Sequence, residues 1–241
     1  MKRFSILMVL LLVACKTISV SNENQTKTIH HKELGMIGEE KLFLLEEDYN
    51  SIALPIYDQP VKLKMNVIEF GKSSYKAFSK ANNSKAVPII IAYDDSLEHK
   101  PKFLKLEIAD RVTVLNTINE VHNKDVKDYI LNKKNAHIIS AVSIALGDEK
   151  MRSVLEADAL FLEQEVNKTF VLKAYKNNQI HITLKFSDGV VFAYQASNFC
   201  WLEDDRHQLE VVDIVESTDK CPKGTYRSAK RAKKKVDYFK F

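Results

Sequence analysis

The sequence predicts a mainly β to α+β protein, an antiparallel meander or sandwich with one or two short helices. From residue 34 onward, apolar and polar residues alternate with the two-residue period of half-buried strands. Asn177-Asn178 and Asp188-Gly189 tolerate the positive φ angles that two-residue hairpins require. Glycine supplies only 6 of 241 residues, and nucleotide-binding α/β folds use glycine in their phosphate loops. The composition therefore disfavours Rossmann and P-loop folds and favours antiparallel strands.

The first half of the chain is predicted to combine strands with two short helices. Val61, Leu63 and Met65 alternate with polar residues, as in a half-buried strand. Asn123 has the side chain of an N-cap, and lysines at the end of the helix that follows it suit the helix dipole. In chain order, the predicted elements are a strand over 61–67, a helix over 72–82, a buried strand over 86–93, a strand over 102–115 that bends near Asp110-Arg111, and a helix over 124–134.

The second half is predicted to be an antiparallel meander. Short breaks with turn-forming residues separate five strand-like runs, and a sixth strand lies between Cys200 and Cys221. The predicted strands cover 137–146, 151–165, 169–176, 179–187, 190–195 and 209–216.

The amino terminus has the layout of a secretory signal. Basic Lys2 and Arg3 precede a run of eleven residues, from Phe4 to Ala14, that is apolar except for Ser5 and is shorter than the roughly 20 residues a membrane-spanning helix needs. The sequence Leu12-Val13-Ala14-Cys15 resembles the lipobox of bacterial lipoproteins. The resemblance implies cleavage before Cys15, a diacylglycerol thioether on its sulfur, and acylation of the new amino terminus. The alternative is an ordinary signal peptide with a chance cysteine at the cut.

The expected location is the bacterial cell envelope, with the lipid on Cys15 inserted in a membrane. Two or three acyl chains anchor a protein durably, whereas one chain is marginal. Lys16 stands where an aspartate favours retention in the inner membrane of well-studied envelopes, and no acidic run follows it. An outer-membrane position facing the periplasm is therefore favoured over the inner membrane or the cell surface.

Four segments are predicted along the chain. Residues 1–14 form the signal peptide, and residues 15–33 carry the lipidated cysteine and a polar, flexible tether. Residues 34–222 form a mainly β globular domain, for which two halves meeting near residue 135 are the alternative. Residues 223–241 form a basic carboxy-terminal tail. The adjacent His30 and His31 are expected to be exposed tether residues, because neighbouring side chains of a strand point to opposite sides.

Lipidation of Cys15 leaves Cys200 and Cys221 as a pair, for which a structural disulfide is predicted. The exported compartment permits disulfides, and a bridge closing a loop of this size stabilises by about 3 kcal/mol in the chain-entropy estimate. A reactive thiol and a metal pair are the competing hypotheses. Neither cysteine has a CxxC partner or a histidine at ligand spacing, so the disulfide is favoured.

The carboxy terminus differs from the rest of the chain in charge. Residues 220–241 contain nine Lys or Arg and one acid, a net charge of +8, whereas residues 15–219 sum to −6. Such a tail could bind anionic lipid or an anionic envelope glycan, each basic residue near an anionic surface contributing about 1 kcal/mol. A solvated tail, or one docked on the acidic body, is the alternative, and export disfavours nucleic acid as a partner. The candidate anion-binding residues are Arg227, Lys230, Arg231, Lys233, Lys234 and Lys235.

Short catalytic and metal-binding motifs are missing from the sequence, which has no G-x-S-x-G, H-E-x-x-H, Walker or EF-hand pattern. No metal site and no cofactor is predicted. Structural roles, not chemical ones, are favoured for four further features. They are a local bend at Asp110-Arg111, a solvent-facing His181, an exposed turn at Glu203-Asp204-Asp205 in place of a calcium site, and packing of Trp201 over the disulfide.

The function expected from the sequence is that of a non-catalytic binding or assembly module of the cell envelope, with an envelope protein as a further possible partner. One alternative is a carrier of lipid or a small ligand, which would use a dry β cavity. The other alternative is an envelope hydrolase, whose cleft would gather His122, His137 or Asp110 with other polar groups.

Overall fold

The computed structural model describes residues 16–42, 47–133 and 135–233. Over these residues the chain forms one sheet of 12 strands, all paired antiparallel, together with five α-helices. The predicted antiparallel β fold is confirmed, although the described residues contain more helices than expected. The strands are β1 (Thr17–Val20), β2 (Glu23–Lys27), β3 (Ile37–Leu42), β4 (Glu47–Ala53), β5 (Val61–Glu69), β6 (Lys102–Ile108), β7 (Ala136–Ala145), β8 (Ala159–Glu165), β9 (Thr169–Lys176), β10 (Gln179–Lys185), β11 (Val190–Glu203) and β12 (Leu209–Glu216). The helices are α1 (Lys72–Asn82), α2 (Arg111–Asn119), α3 (Lys124–Leu131), α4 (Asp148–Leu155) and α5 (Ala229–Ala232).

The two long strands β7 and β11 form the centre of a forked sheet. The strand order is β1-β2-β11-β7-β6-β5-β8-β9-β10. Beyond this path, β12 pairs with the second half of β11, and β3 pairs with both β4 and the start of β7. Because β11 has 14 residues and β7 has 10, each strand can pair with different neighbours at its two ends.

Two apolar clusters cover the opposite faces of the central strands. In β6, Leu104 and Leu106 point into the larger cluster, which also receives side chains from α2, α3, α4 and α5. Phe103 points to the other face, as the alternation of a strand requires. There it packs with Phe70 and Phe192 in a smaller group of side chains, called here the aromatic cluster. Helix α1 and strand β1 also contribute to the aromatic cluster.

Several predicted elements occur where the sequence places them. Helix α1 occupies 72–82, and strands β5, β7, β9, β10 and β12 cover most of their predicted runs. Asn177 and Asn178 have φ angles of 52° and 60° and join β9 to β10 as a tight hairpin. The meander is shorter than predicted, because it contains only β8, β9 and β10. Strand β11 returns to pair with β7 instead of continuing beside β10.

The buried strand predicted over 86–93 is wrong. These residues form no ladder, and the side chains of Val87 and Ile90 are 80% and 94% exposed. The Asn82 side chain binds both backbone groups of Ile89, accepting from its nitrogen at 2.8 Å and donating to its oxygen at 2.9 Å. These bonds satisfy the Ile89 backbone without a neighbouring strand.

Two predicted strands each contain a helix. The strand predicted over 102–115 ends at Ile108, and Asp110 is not a bend within it but the N-cap of α2, since its carboxylate accepts from the Thr113 backbone nitrogen at 3.0 Å. The strand predicted over 151–165 starts only at residue 159 and follows α4. Met151 and Val154, three residues apart on one helix face, are the buried side chains of α4.

The prediction of a flexible tether does not hold for residues 17–27. They form the β1–β2 hairpin, which joins the sheet through β2 and β11. Ile18 and Val20 are buried in the aromatic cluster, and Gln25 is fully buried, where its side-chain oxygen accepts from Ser143 Oγ at 2.6 Å. Because Gln25 is polar although it is buried, the alternation of apolar and polar residues that would have predicted strand β2 is missing from the sequence. Cys15 lies outside the described residues.

None of the described helices is long and apolar enough to cross a membrane.

Candidate functional site

A groove of about 820 Å³ lies between the carboxy-terminal segment and the start of β7. The end of α3 with the residues after it, part of β11, and residues 220–231 contribute to its walls. Its described lining contains no Asp or Glu but five positively charged side chains. This basic groove is lined by Lys133, Lys220, Arg227, Lys230 and Arg231.

The predicted disulfide is confirmed and holds one wall of the basic groove. Cys200 in β11 is bonded to Cys221, with 5.7 Å between their Cα atoms. One residue further along β11, Trp201 exchanges two backbone hydrogen bonds with Tyr226, at 2.7 and 2.9 Å. Beyond these bonds, α5 buries two alanines in the larger apolar cluster. The carboxy-terminal segment is therefore docked along β11 as far as residue 233.

Two of the groove's cations already have partners. The Arg227 guanidinium donates to the backbone oxygens of Ser217, at 2.9 Å, and Asp219. These partners are carbonyls, so they orient the guanidinium without neutralising its charge. Lys133 Nζ lies 3.4 Å from a Glu39 carboxylate oxygen. Hydrogen bonding to Tyr129 and the charge of Glu39 raise the pKa of Lys133, which keeps this side chain protonated.

The other three cations are available to a ligand. Lys220, Lys230 and Arg231 are exposed, and no carboxylate of the described chain lies within ion-pair distance of them. Like charges along one groove repel each other, and an anion bound between them relieves that repulsion. The groove therefore has the electrostatics of an anion-binding site.

Three of the six predicted tail residues line the basic groove, namely Arg227, Lys230 and Arg231. Lys233 is exposed but is not part of the lining, and Lys234 and Lys235 lie outside the described residues. The sequence did not identify Lys133 and Lys220 as site residues. Lys220 belongs to the basic run, which is a usable signal, whereas Lys133 lies in the link between α3 and β7 and joins the groove only in the folded chain.

The remaining single-residue candidates have local structural roles. Asp204 accepts from the backbone nitrogens of Arg206, at 2.9 Å, and Gln208, at 2.7 Å, and so shapes the turn between β11 and β12. His181 lies 3.8 Å from a Glu156 carboxylate oxygen. Within the described ranges, no three His, Cys, Asp or Glu side chains are placed to share a metal ion.

The three residues that a hydrolase would gather have separate contacts. Asp110 caps α2, and His122 Nε2 lies 3.3 Å from Asp58 Oδ2. His137 borders the basic groove at the start of β7. None of these contacts joins one of the three to another.

A second cavity, called here the polar cleft, has a volume of about 410 Å³ and lies on the sheet face that carries Phe103. Lys105 lies buried beside it, 1% exposed, with Nζ 2.7 Å from both a Glu23 and a Glu107 carboxylate oxygen. Burial opposes the charge of Lys105, but the hydrogen bonds that its ammonium group donates to the two carboxylates outweigh burial and raise the pKa of this lysine. Sequence reasoning missed the cleft, because an alternating lysine in a strand indicates a solvent-facing position.

The rim of the polar cleft combines charges of both signs with hydroxyl groups. Burial and the charges of Glu23 and Asp219 raise the pKa of Glu216. Ser140 and Ser197 are hydrogen bonded through their hydroxyls at 2.6 Å. The lining is therefore suited to polar groups and not to an acyl chain.

Comparison of the chain with protein-family models, with curated proteins and with solved structures returns no match. The function is therefore inferred from the geometry of these two cavities and from the residues around them.

Proposed function

We propose that the protein is a membrane-anchored cell-envelope lipoprotein and a non-catalytic binding module, whose basic groove binds a ligand that carries several phosphate groups. The observation that carries this proposal is the basic groove itself, which has five cationic side chains and no acid in its described lining. Charge-assisted hydrogen bonds from Lys and Arg to phosphate are about twice as strong as neutral ones.

The proposed anchor is a diacylglycerol thioether on Cys15. The Leu12-Val13-Ala14-Cys15 lipobox supports it, and an outer-membrane position facing the periplasm remains the favoured location. A protein confined to that compartment meets anionic lipid headgroups and phosphorylated envelope glycans, but not nucleic acid. Both kinds of ligand present phosphate. The groove volume of about 820 Å³ is in the range of ordinary ligand sites.

The test is a binding titration of the full lipidated chain in a neutral detergent. One arm uses a delipidated, phosphorylated envelope glycan, and the other uses phosphatidylglycerol dispersed in the same detergent. The variant Lys220→Gln/Lys230→Gln/Arg231→Gln removes the three available cations. We expect it to weaken binding by at least about tenfold at low salt and to flatten the salt dependence, since each cation contributes about 1 kcal/mol.

The matched control removes three exposed lysines outside the groove. Lys62→Gln/Lys76→Gln/Lys80→Gln lowers the net charge by the same amount, and these residues do not line the groove. It should bind like the wild type. Equal losses in both variants would mean that only net charge matters and would refute a groove site. Binding in one arm alone identifies the source of the phosphate, and binding in neither arm contradicts the proposal.

The polar cleft favours a second candidate function, the binding of a small polar ligand. Its volume of about 410 Å³ and its charged lining support a small-ligand carrier over a lipid carrier. The variant Glu216→Gln with Ser140→Ala should abolish such binding in a screen of small charged metabolites by thermal shift, while leaving groove binding unchanged. A hit that both proteins bind equally would exclude the cleft as its site.

A further inference from the structure

An exposed apolar loop follows α1. Residues 86–92, called here the apolar loop, read Ala-Val-Pro-Ile-Ile-Ile-Ala. Val87 is 80% exposed and Ile90 is 94% exposed, so two large apolar side chains project into water from one short segment. Two large exposed apolar side chains in one short segment mark a candidate interaction site.

The backbone of the apolar loop is held in place. The Asn82 side chain makes two hydrogen bonds to the backbone of Ile89, at 2.8 and 2.9 Å, and the Tyr75 hydroxyl donates to the Ile91 oxygen at 3.2 Å. The side chains of Ile89 and Ile91 pack against the aromatic cluster. These contacts hold the loop against the aromatic cluster and leave the Ile90 side chain exposed to solvent.

The apolar loop and the amino-terminal strand lie at the same end of β11. The ammonium group of Lys85, just before the loop, donates to the backbone oxygen of Gly189, which immediately precedes β11. The Thr28 nitrogen donates to the oxygen of Phe192, two residues into β11. The Lys27 nitrogen donates to the Lys16 oxygen at 3.0 Å. The start of β11 therefore connects the loop to the point where the described chain begins.

Lys16 is also the residue next to Cys15. One residue of chain spans at most about 3.6 Å, so a lipid on Cys15 would hold this end of the sheet at the bilayer surface. We propose that the apolar loop is a second membrane contact, which inserts Val87 and Ile90 into the lipid interface beside the acylated cysteine. This inference rests on the proposed lipid anchor and adds a contact made by the folded domain.

Asp95, which follows the loop, is compatible with a membrane surface. Asp95 lies 3.0 Å from Lys72 Nζ and 3.4 Å from Lys100 Nζ. Hydrogen bonds from Lys72, which has the largest effect, and from Tyr93 lower the pKa of Asp95 to about 2. Its charge is therefore compensated by two lysines where the chain leaves the proposed contact.

The test places an environment-sensitive fluorophore on the loop of the full, lipidated protein. With Cys15 acylated and Cys200 bonded to Cys221, the cysteine of the Ile90→Cys variant is the sole free thiol for a nitrobenzoxadiazole label. The protein is reconstituted in vesicles of phosphatidylcholine alone, so the basic groove is not attracted by charge. Val121→Cys and Val166→Cys are matched controls, since these valines are 86% and 85% exposed at other places in the fold.

We expect the label at position 90 to shift its emission to shorter wavelength, gain intensity several-fold, and be quenched by a doxyl-labelled phospholipid. The labels at positions 121 and 166 should keep the spectrum of water and resist quenching. If the protein floats with the vesicles but position 90 resembles the controls, the loop contact is wrong and the anchor stands. A spectral shift without lipid quenching indicates a protein contact and also refutes it. Protein that does not float overturns the anchor, and the loop inference with it.

Discussion

Lys105 is a buried charged side chain beside the polar cleft and is only 1% exposed. Its ammonium group contacts Glu23 and Glu107, and removing one partner of a buried ion pair commonly costs about 3–5 kcal/mol. The Glu23 and Glu107 side chains are 34% and 18% exposed, so water screens the charges that are left behind. We therefore predict that Lys105→Met lowers the free energy of unfolding by less than that range, about 2–3 kcal/mol near pH 7. The control Lys105→Met/Glu23→Gln/Glu107→Gln should recover much of the loss, because it leaves no unpaired carboxylate. Urea denaturation measures both values.

The ion pair also predicts how the stability loss in Lys105→Met changes with pH. Burial opposes ionisation of Glu107, but bonds from Lys105 and Lys64 outweigh burial and lower its pKa below 4.5. The stabilisation from Glu107 is therefore complete above that value and is lost as the pH falls. In Lys105→Met both carboxylates lose the ammonium group, and Glu107 keeps only the more distant Lys64, at 3.4 Å, so protonation in acid relieves the loss. The difference between wild type and variant should shrink from pH 7 to pH 4, and a constant difference would contradict the ion-pair account.

Asn123 shows how a correct residue prediction can have the wrong reason. It precedes α3 as expected, but its side chain makes no capping bond. The Asn123 side chain instead accepts from the Ile56 nitrogen at 2.8 Å and donates to the oxygens of Ile56, at 2.9 Å, and Thr117, at 2.8 Å. These bonds join the segment before β5 to the end of α2.

A substitution separates the two roles of Asn123. Asp is as good an N-cap as Asn but cannot donate. We predict that Asn123→Asp destabilises by about 2 kcal/mol or more, because it removes two donors and buries a charge at a residue that is 1% exposed. Thermal and urea unfolding would show this loss. A variant as stable as the wild type would mean that capping is the main role of the residue.

At the scale of elements, the disulfide connects strand β11 to the segment that forms one wall of the basic groove. Cys200 and Cys221 are separated by 21 residues, and the bridge fixes the segment that carries Lys220 against β11. We predict that Cys200→Ala/Cys221→Ala lowers the free energy of unfolding by about 3 kcal/mol. It should also weaken phosphate binding in the groove, since Lys220 and Arg227 lose their fixed wall. Unchanged affinity in the still-folded variant would show that the bridge does not organise the groove.

Periodicity predicted those elements whose residues follow one period throughout. Tyr75 and Phe78 recur at helical spacing, and α1 forms as expected. Residues 151–165 contain a helix and a strand in succession, and averaging over both hid the helical spacing of Met151 and Val154. Residues 86–92 have the composition of a buried strand, yet they pair with no strand of the described chain, and Val87 and Ile90 are exposed. The positive φ angle expected at Asp188-Gly189 does not occur at Gly189, whose backbone is extended.

The candidate site could be predicted only in part, since a groove depends on contacts between distant segments. The basic run at the carboxy terminus identified Arg227, Lys230 and Arg231. Lys133 comes from a helix end nearly a hundred residues earlier in the chain, and only the fold brings it into the lining of the same groove. The polar cleft left no sequence signal, because its buried Lys105 occupies an ordinary polar position of an alternating strand.

At the scale of the whole molecule, the main change from the sequence expectation is the absence of a long tether between Cys15 and the sheet. Strand β1 starts at Thr17, and its buried Ile18 fixes the amino-terminal end in the fold. If Cys15 carries lipid, the domain is held directly at the membrane surface with the apolar loop beside the anchor. Such a domain has little freedom to reorient, which limits the ligands its basic groove can reach to those near the same surface.

The most direct test of the proposed envelope lipoprotein is mass spectrometry of the amino-terminal peptide from protein extracted out of native membranes. The account predicts a peptide that begins at Cys15 and carries a diacylglycerol thioether, with a further acyl group on its amino terminus. A peptide that retains residues 1–14, or one with an unmodified Cys15 thiol recovered from the soluble fraction, would contradict it.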